Sequence, residues 1–124
     1  MSHRVENISN HHSGDSRLLT VQVRYPSDSE SSQFGDPVDV RNSDVFYYFS
    51  ESESGSSCIF KKEVGDGIEI VDGLNGIVEI KWDSTDTEGL EGKEYYHECE
   101  FVDTYGDVST VFTGTVEVIE GLNC

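Results

Sequence analysis

The chain has 124 residues and carries 25 acidic side chains against 8 basic ones, giving a formal net charge of -17 at pH 7. This length suits one domain, since domains typically run from about 50 to 250 residues. Such a negative surface repels phosphate backbones and anionic lipid headgroups, so we expect no nucleic acid and no membrane among its partners.

The composition favours strands over helices. Alanine, the best helix former, is absent, whereas β-branched and aromatic residues are abundant. The 12 glycines and 16 serines supply turns. No segment reaches the roughly 20 apolar residues of a membrane span, and the polar N-terminus lacks the apolar segment of a secretory signal. These features predict a soluble, mainly β protein.

Residues 1–17 are predicted to form a flexible N-terminal arm, because they are polar and show no hydrophobic periodicity. Beyond them, short segments alternate apolar and polar side chains with a period of two, which is the pattern of half-buried strands. Serine-rich and acidic loops are predicted at residues 27–36 and 51–57. The predicted strands are residues 19–24, 38–40, 44–49, 58–64, 68–70, 77–82, 94–102 and 108–119.

Glycine and polar residues mark the connections between these strands. Asn75-Gly76 is a favourable hairpin dipeptide, so the strands on either side of it are expected to be antiparallel. Residues 84–87 are able to form one capped helical turn, and residues 103–107 form a turn. Gly114, inside the last strand, predicts a bulge or bend.

Seven to eight short strands with turns at regular intervals predict an all-β fold, an immunoglobulin-like antiparallel β-sandwich. It is expected to span residues 18–120 and to be followed by a short tail at 121–124. The alternation in the strand at 94–102 assigns two faces. Tyr95, His97, Cys99 and Phe101 are expected to face the core, and Tyr96, Glu98 and Glu100 the other side.

No catalytic, cofactor-binding or metal-binding residues are assigned. The sequence has no G-x-S-x-G elbow, no phosphate-cradling glycine loop before a helix and no H-E-x-x-H zinc helix. His97 is the one histidine in a predicted strand. A general base at that position needs a nucleophile and an orienting carboxylate, and the sequence nominates neither. We expect His97 to be a partly buried, hydrogen-bonded residue.

Weaker candidates for ion binding lie in two acidic segments and in the predicted arm. Neither acidic segment has the ligand spacing of an EF-hand calcium loop, and the histidines are expected to be part of a mobile segment. The candidates are Asp83, Asp86 and Glu88; Asp103 and Asp107; and His3, His11 and His12.

Aromatic residues offer a sugar-binding platform if they are exposed. The candidates are Tyr47, Tyr48, Trp82 and Tyr105. Because aromatic residues in strands usually belong to the core, burial is the favoured interpretation for Trp82 and the tyrosine pair.

The three cysteines, Cys58, Cys99 and Cys124, are widely spaced and include no C-x-x-C pair. Cys58 and Cys99 either form a disulfide across the sandwich or are both small buried hydrophobic residues, and the second alternative is favoured. Cys124 is expected to be exposed.

The acidic residues are spread along the chain rather than gathered in a tail. Such a charge destabilises the compact state at low ionic strength and is screened at high salt. We therefore expect adaptation to a salty environment, with an acidic binding surface as the alternative.

A series of turn and core motifs runs through the second half of the chain. They are Gly67-Ile68-Glu69-Ile70, Asn75-Gly76-Ile77-Val78-Glu79-Ile80, Asp86-Thr87-Glu88-Gly89-Leu90, Tyr95-Tyr96, Gly106-Asp107-Val108 and Gly114-Thr115-Val116-Glu117-Val118. Their order resembles small immunoglobulin-like β-sandwich structural proteins of tailed viruses, including the N-terminal module of phage baseplate upper proteins. The greater acidity of this chain suggests a virus of a halophilic, haloarchaeal host.

The resemblance implies a non-enzymatic structural component of the virion, placed in the tail, neck, baseplate or capsid surface. Its partners would be other virion structural proteins and further copies of itself. The resemblance brings no active-site residues and no cofactor. The alternative function is a surface-binding or glycan-binding adhesion module.

Overall fold

The computed structural model describes residues 4–26, 34–53 and 57–120. The strands are β1 (Arg4–Val5), β2 (Ile8–His12), β3 (Arg17–Gln22), β4 (Arg24–Pro26), β5 (Phe34–Pro37), β6 (Asp44–Ser50), β7 (Cys58–Val64), β8 (Gly67–Asp72), β9 (Ile77–Trp82), β10 (Glu94–Val102) and β11 (Val108–Ile119). A 3-10 turn lies at Gly73–Asn75, and a single helical turn, α1, at Ser84–Thr87. No helix in the described ranges has the length and apolar character needed to cross a membrane.

Within the described residues, nine strands join into one curled, mixed sheet. Its order is β1–β11–β10–β6–β7–β8–β9–β3, and β2 also pairs with β11, while β4 and β5 form a small second sheet. Most ladders are antiparallel; the parallel ones are those of β1 and β2 with β11 and the short contact between β7 and β8. The prediction of an all-β, sandwich-like fold is confirmed.

The interior of the curled sheet is an aromatic cluster centred on Trp82. Trp82 of β9 has no exposed surface and contacts two side chains of β6, with ring centroids 6.1 Å from Tyr47 and 5.4 Å from Phe49. Phe60 of β7 stacks on Phe49 at 4.7 Å. These contacts hold β9 against β6 across the core, because large aromatic side chains gain both burial and ring–ring attraction there.

Strand bounds follow the sequence pattern closely in the second half of the chain. β7, β9, β10 and β11 have the predicted bounds, and α1 forms at the predicted helical turn. Gly76 adopts a left-handed conformation with φ of 72°, as the turn after Asn75 requires. In β10 the predicted inward residues are buried and the predicted outward ones are partly exposed.

The short strand predicted at residues 38–40 does not form. Val38 and Val40 are buried, yet their N–H groups donate to Val23 O at 2.9 Å and Gly73 O at 2.8 Å. These partners lie on two different segments, so the valines bridge the end of β3 and the 3-10 turn rather than extend one ladder. The alternation of apolar and polar residues is consistent with the burial of both valines, but it does not show which backbone groups they hydrogen-bond to.

The predicted loops are only partly described. β4 and β5 pair with each other, so residues 34–36 at the end of the loop predicted at 27–36 are extended. Residues 27–33 of that loop and 54–56 of the next lie outside the described residues.

The N-terminal segment differs from the predicted flexible arm. Residues 4–5 and 8–12 pair in parallel with β11, and Arg17 already belongs to β3. His11 is buried, with 2% of its surface exposed. The sequence shows no hydrophobic period here because residues 6–7 separate the two short strands, and because the buried residue of β2 is a histidine. Residues 1–3 lie outside the described residues.

The structure also corrects the role of Gly114. The bulge of the β10–β11 ladder lies between Cys99 and Glu100, away from Gly114, which stays in register opposite His97. A Cβ atom at position 114 would lie 1.9 Å from the carbonyl oxygen of Glu6. Gly114 is therefore needed because the N-terminal segment crosses directly over β11 at this point.

We expect Gly114→Ala to destabilise the fold by roughly 2 kcal/mol, because the new methyl group displaces the segment around Glu6. Denaturant unfolding followed by Trp82 fluorescence measures the loss. Ser109→Ala, on an exposed position of the same strand, is the matched control. Equal stability of the two variants would contradict the close crossing.

Two acidic side chains lie opposite each other on the part of the sheet formed by β8 and β9. Glu69 of β8 and Glu79 of β9 are directly opposite in the ladder. Directly opposed like charges destabilise a sheet, and salt screens the repulsion between them.

We expect Glu79→Gln to raise the thermal midpoint by roughly 2–4 °C in low salt, since it removes one member of this pair. The gain should shrink in molar salt. Glu63→Gln is the control, because Glu63 lies opposite Phe46 rather than an acidic residue. A gain that is the same for both variants, or independent of salt, argues against local repulsion.

Candidate functional site: a groove on the outer sheet face

A groove of about 800 Å³ lies on the outer face of the sheet formed by β6, β10 and β11. Val5 and Asn7 of the N-terminal segment line one side of it, and residues of the β6–β7 connection line the other. The floor residues are Tyr48 and Ser50 of β6, Tyr96, Glu98 and Glu100 of β10, and Thr113 and Thr115 of β11.

The ladder register arranges the groove floor in rows. Tyr48 lies opposite Glu98, which lies opposite Thr113 on β11. In the next row, Ser50 lies opposite Tyr96. Tyr48 and Tyr96 are therefore diagonal neighbours on adjacent strands, a placement that separates two residues by about 7–8 Å. Glu98 is next to both tyrosines. It lies directly across the ladder from Tyr48 and two residues along β10 from Tyr96.

Tyr48 sits in a negative environment. Burial and the neighbouring carboxylates of Glu100 and Glu98 raise the pKa of Tyr48 to about 12. Because this pKa is so high, the phenol of Tyr48 keeps its proton at neutral pH and is a hydrogen-bond donor. The Lys61 ammonium nitrogen lies 5.8 Å from the centroid of the Tyr48 ring and 5.0 Å from that of Phe46. Aromatic side chains on this face thus already contact one cation of the chain itself.

Asn7 fixes the N-terminal wall of the groove. Its side-chain oxygen accepts hydrogen bonds from the Thr115 backbone N–H at 2.9 Å and from the Thr115 hydroxyl at 3.2 Å. These bonds hold the segment between β1 and β2 against β11.

His97 lies behind the groove floor and is engaged on both ring nitrogens. Its Nε2 lies 2.5 Å from the carbonyl oxygen of Glu6, which can only accept, so Nε2 carries the proton. The Tyr47 hydroxyl then donates to Nδ1 at 2.8 Å. Burial lowers the pKa of His97, although the hydrogen bond to Glu6 opposes this shift. As expected, His97 is a buried, hydrogen-bonded residue, and it joins the core to the N-terminal segment.

His11 has a similar structural role on the other side of the core. Arg17 Nε donates to His11 Nδ1 at 3.1 Å, which leaves the His11 Nε2–H to face the Thr87 hydroxyl at 3.4 Å. The ring packs edge-on against Trp82 at 4.8 Å. Burial and the charge of Arg17 lower the pKa of His11. Of the other two histidines considered as ligands, His12 is exposed and His3 lies outside the described residues.

The acidic candidates for ion binding are occupied by internal contacts. Asp86 and Asp83 lie 2.8 and 3.4 Å from the ammonium nitrogen of buried Lys62. Burial lowers the pKa of Lys62, but the hydrogen bonds and charges of the two aspartates outweigh it, and the pKa is raised. Asp103 accepts the backbone N–H groups of Tyr105 and Asp107, which closes the turn.

The described ranges contain no group of three or more His, Cys, Asp or Glu side chains arranged to hold a metal ion. Glu88 is exposed and lies beyond the Lys62 ion pairs.

The aromatic and cysteine candidates separate between core and surface. Tyr47 and Trp82 are fully buried, Tyr48 lines the groove, and Tyr105 is 89% exposed on the β10–β11 turn. Cys99 is buried as expected. Cys58 is instead an exposed free thiol at the groove edge, so it neither pairs with Cys99 nor fills the core. Cys124 lies outside the described residues.

No protein-family model matches the sequence, and no curated protein matches it. Among solved structures, the fold is similar to the crystal structure of CopC from Methylosinus trichosporium OB3b, with 13% sequence identity and a TM-score of 0.45. The match covers 94% of this chain and 89% of that one. So loose a similarity assigns no ligand and no function to this chain.

Sequence reasoning placed Tyr96, Glu98 and Glu100 on one outward face but did not recognise them as a site. The alternation of β10 carried that face assignment. The alternation within β10 does not show which strand pairs with it. The register between β6 and β10 brings Tyr48 beside Glu98 and so forms the groove.

The stability of the fold should fall as the pH is lowered from about 6.5 towards 5.5. The pKa of buried His97 lies below the value of about 6.5 in the unfolded chain, so the unfolded state binds more protons in this window. The contribution is complete above pH 6.5 and is lost as the pH falls towards the lower, folded-state pKa.

Thermal unfolding of His97→Gln should show a weaker pH dependence, because glutamine keeps the hydrogen-bonding groups and does not titrate. Some dependence remains, since the pKa of His11 is also lowered. His12→Gln, at an exposed position, should behave like the wild type. Identical pH profiles for wild type and His97→Gln would exclude His97 as a source of the effect.

Proposed function

We propose that the protein is a non-enzymatic structural component of a tailed-virus particle that acts through protein–protein contacts made by the outer groove. The observation that carries the proposal is the groove itself: a solvent-open surface of the size of a ligand site, lined by tyrosines and by polar side chains. The order of turn and core motifs that resembles virion sandwich proteins supports the particle as its location.

The arrangement of the histidines supports a binding role rather than catalysis. His97 and His11 are the buried histidines of the described chain, and both use their ring nitrogens in hydrogen bonds to the protein. A general base must reach the proton that it removes from a substrate. Neither ring is available for that in this arrangement.

Strand edges offer a second kind of contact, with further copies of the chain. Within the described residues, β3 is an edge strand of the main sheet. An edge strand is able to pair with a strand of a neighbouring subunit. Val38 and Val40, which follow β5, are buried in the core and are not available for such pairing. We place subunit contacts at β3 for this reason.

The charge of the protein supports a halophilic host as part of the same proposal. A net charge of -17 on a chain of this length is strongly self-repulsive in dilute salt. High salt in the host and its surroundings would screen that repulsion.

Antibody–gold labelling of gradient-purified particles, viewed by electron microscopy, tests the proposed location. We expect label at one defined position of the particle, which also distinguishes head, neck and tail. Pre-adsorption of the antibody with the pure protein is the control and should abolish the label. Unlabelled particles, with the protein recovered free in the lysate, would exclude the virion role.

A glycan-binding adhesion module is the second candidate function. Tyr48 and Tyr96 favour it, because half-buried tyrosines beside hydroxyl and carboxylate groups are able to stack on a sugar ring and hydrogen-bond to it. A glycan would bind in the same groove. The two functions therefore differ in the molecule that binds there, a sugar in one case and a protein in the other.

A further inference from the structure

Resting on the proposed role as a structural subunit, we propose that two copies of the chain join through their β3 strands, which pair antiparallel across a two-fold axis. The main sheet would then continue from one copy into the other. The inference depends on the backbone directions of β3, on the exposure of its edge and on its lack of acidic residues.

The backbone of β3 directs hydrogen-bonding groups to its outer edge. The Val23 N–H donates to Gly76 O at 2.8 Å, which continues the antiparallel register of β3 with β9. In an antiparallel ladder, alternate residues point their N–H and C=O groups to the same side. Those of Leu19 therefore face β9, whereas those of Leu18 and Thr20 point away from it. Within the described part of the chain, β9 is the strand that pairs with β3, and no strand lies on its other side.

Open space lies beside these outward groups. Leu18 is 56% exposed, and Thr20 is exposed as well. A slot of about 220 Å³ lies between this part of β3 and residues 6–8 of the N-terminal segment. A strand added at this edge would bury Leu18, and the removal of its apolar surface from water favours the contact.

The edge also lacks the features that usually keep sheet proteins apart. Edge strands are commonly interrupted by a bulge or a proline, or they carry charged side chains. β3 pairs with β9 from Arg17 to Gln22 without a register shift and contains no proline and no lysine. Arg17 is its one charged residue, and the side chain is turned towards His11 and Trp82. An unprotected edge of this kind is typical of a strand that pairs with another chain.

Charge favours a second copy as the occupant of the edge. Residues 16–27 contain no Asp or Glu and form the longest such run in the chain. Acidic residues are spread along the rest of the sequence, and two molecules with a net charge of -17 repel each other through them. Two β3 strands bring no carboxylates of their own together. The edge at β1 is less suitable, because β1 has two residues and is followed by Glu6.

A two-fold register that uses only the outward groups pairs Leu18 of one copy with Thr20 of the second. The axis then passes at Leu19, which lies opposite Leu19 of the second copy as a non-hydrogen-bonded pair. Leu19 is half-buried and packs against the core, so this contact extends the apolar interior across the dimer. No residue of β3 lines the outer groove, so each copy keeps its groove open.

Sedimentation equilibrium at moderate and at molar salt tests the pairing. We expect a wild-type dimer whose association strengthens in molar salt, because the repulsion between the copies is screened. Leu18→Glu should weaken the association by roughly tenfold or more, since two new carboxylates lose water and lie diagonally across the axis at about 7–8 Å. Val71→Glu is the matched control, with the same exchange at an exposed position of β8. Because β9 separates β8 from the edge, Val71→Glu should change the affinity by less than about twofold.

Thr20→Pro tests the backbone hydrogen bonds. Proline removes an N–H group that points away from β9, so the internal ladder keeps its bonds while the pairing between copies is lost. Thr20→Val keeps the N–H group and should remain dimeric. Trp82 fluorescence confirms that each variant is folded.

A disulfide tests the register. In a background with Cys58→Ser and Cys124→Ser, Leu19→Cys should give a disulfide-linked dimer on mild oxidation. The Cα atoms of a non-hydrogen-bonded pair are about 4.5 Å apart, which is within the range of a disulfide. Val71→Cys in the same background should stay monomeric on a denaturing gel.

A wild-type protein that stays monomeric at both salt concentrations would overturn the inference, and antibody–gold label on the particle would then leave the virion function standing. Equal weakening by Leu18→Glu and Val71→Glu would also overturn it, because association would then follow net charge alone. A dimer in which Leu19→Cys does not cross-link would exclude the proposed pairing. Cross-linked dimers without label on the particle would support the pairing and exclude the virion function.

Discussion

The packing of Trp82 against Tyr47 and Phe49 is the contact on which the rest of the structure depends. It joins β9 to β6 across the interior and so holds the curl of the sheet. In a chain of net charge -17, this apolar contact also opposes the mutual repulsion of the surface. The buried polar groups are arranged around it: the Tyr47 hydroxyl reaches His97, and His11 packs on the Trp82 ring.

Through His97 the same cluster organises the outer groove. The ring connects Tyr47 in the core to the carbonyl oxygen of Glu6, and Gly114 leaves room for that carbonyl over β11. The N-terminal segment is thereby fixed where Asn7 and Val5 form a wall of the groove. The shape of a surface on the outside of the sheet therefore depends on the hydrogen bonds that connect Tyr47 in the interior, through His97, to Glu6.

Much of the fold follows from the sequence, and less of the site does. Alternation in β7, β9, β10 and β11 is regular enough to give their bounds, and Trp82 and His97 are placed in the core by the same pattern. Residues 4–12 were missed because two short strands separated by residues 6–7 carry no sustained period. The groove was missed because a site made across two strands depends on register, which single-strand patterns do not contain.

Among the described residues, three basic side chains form ion pairs with carboxylates. Arg41 pairs with Asp39, Lys93 with Glu51, and Lys62 with Asp86. Among the residues that the structure describes, Glu69 and Glu79 form no ion pair, although they lie directly opposite each other. Two copies stacked face to face would bring such groups within a Debye length, about 10 Å at moderate salt. Copies of this chain are therefore expected to meet at their strand edges, which leaves the outer face of the sheet open to other proteins.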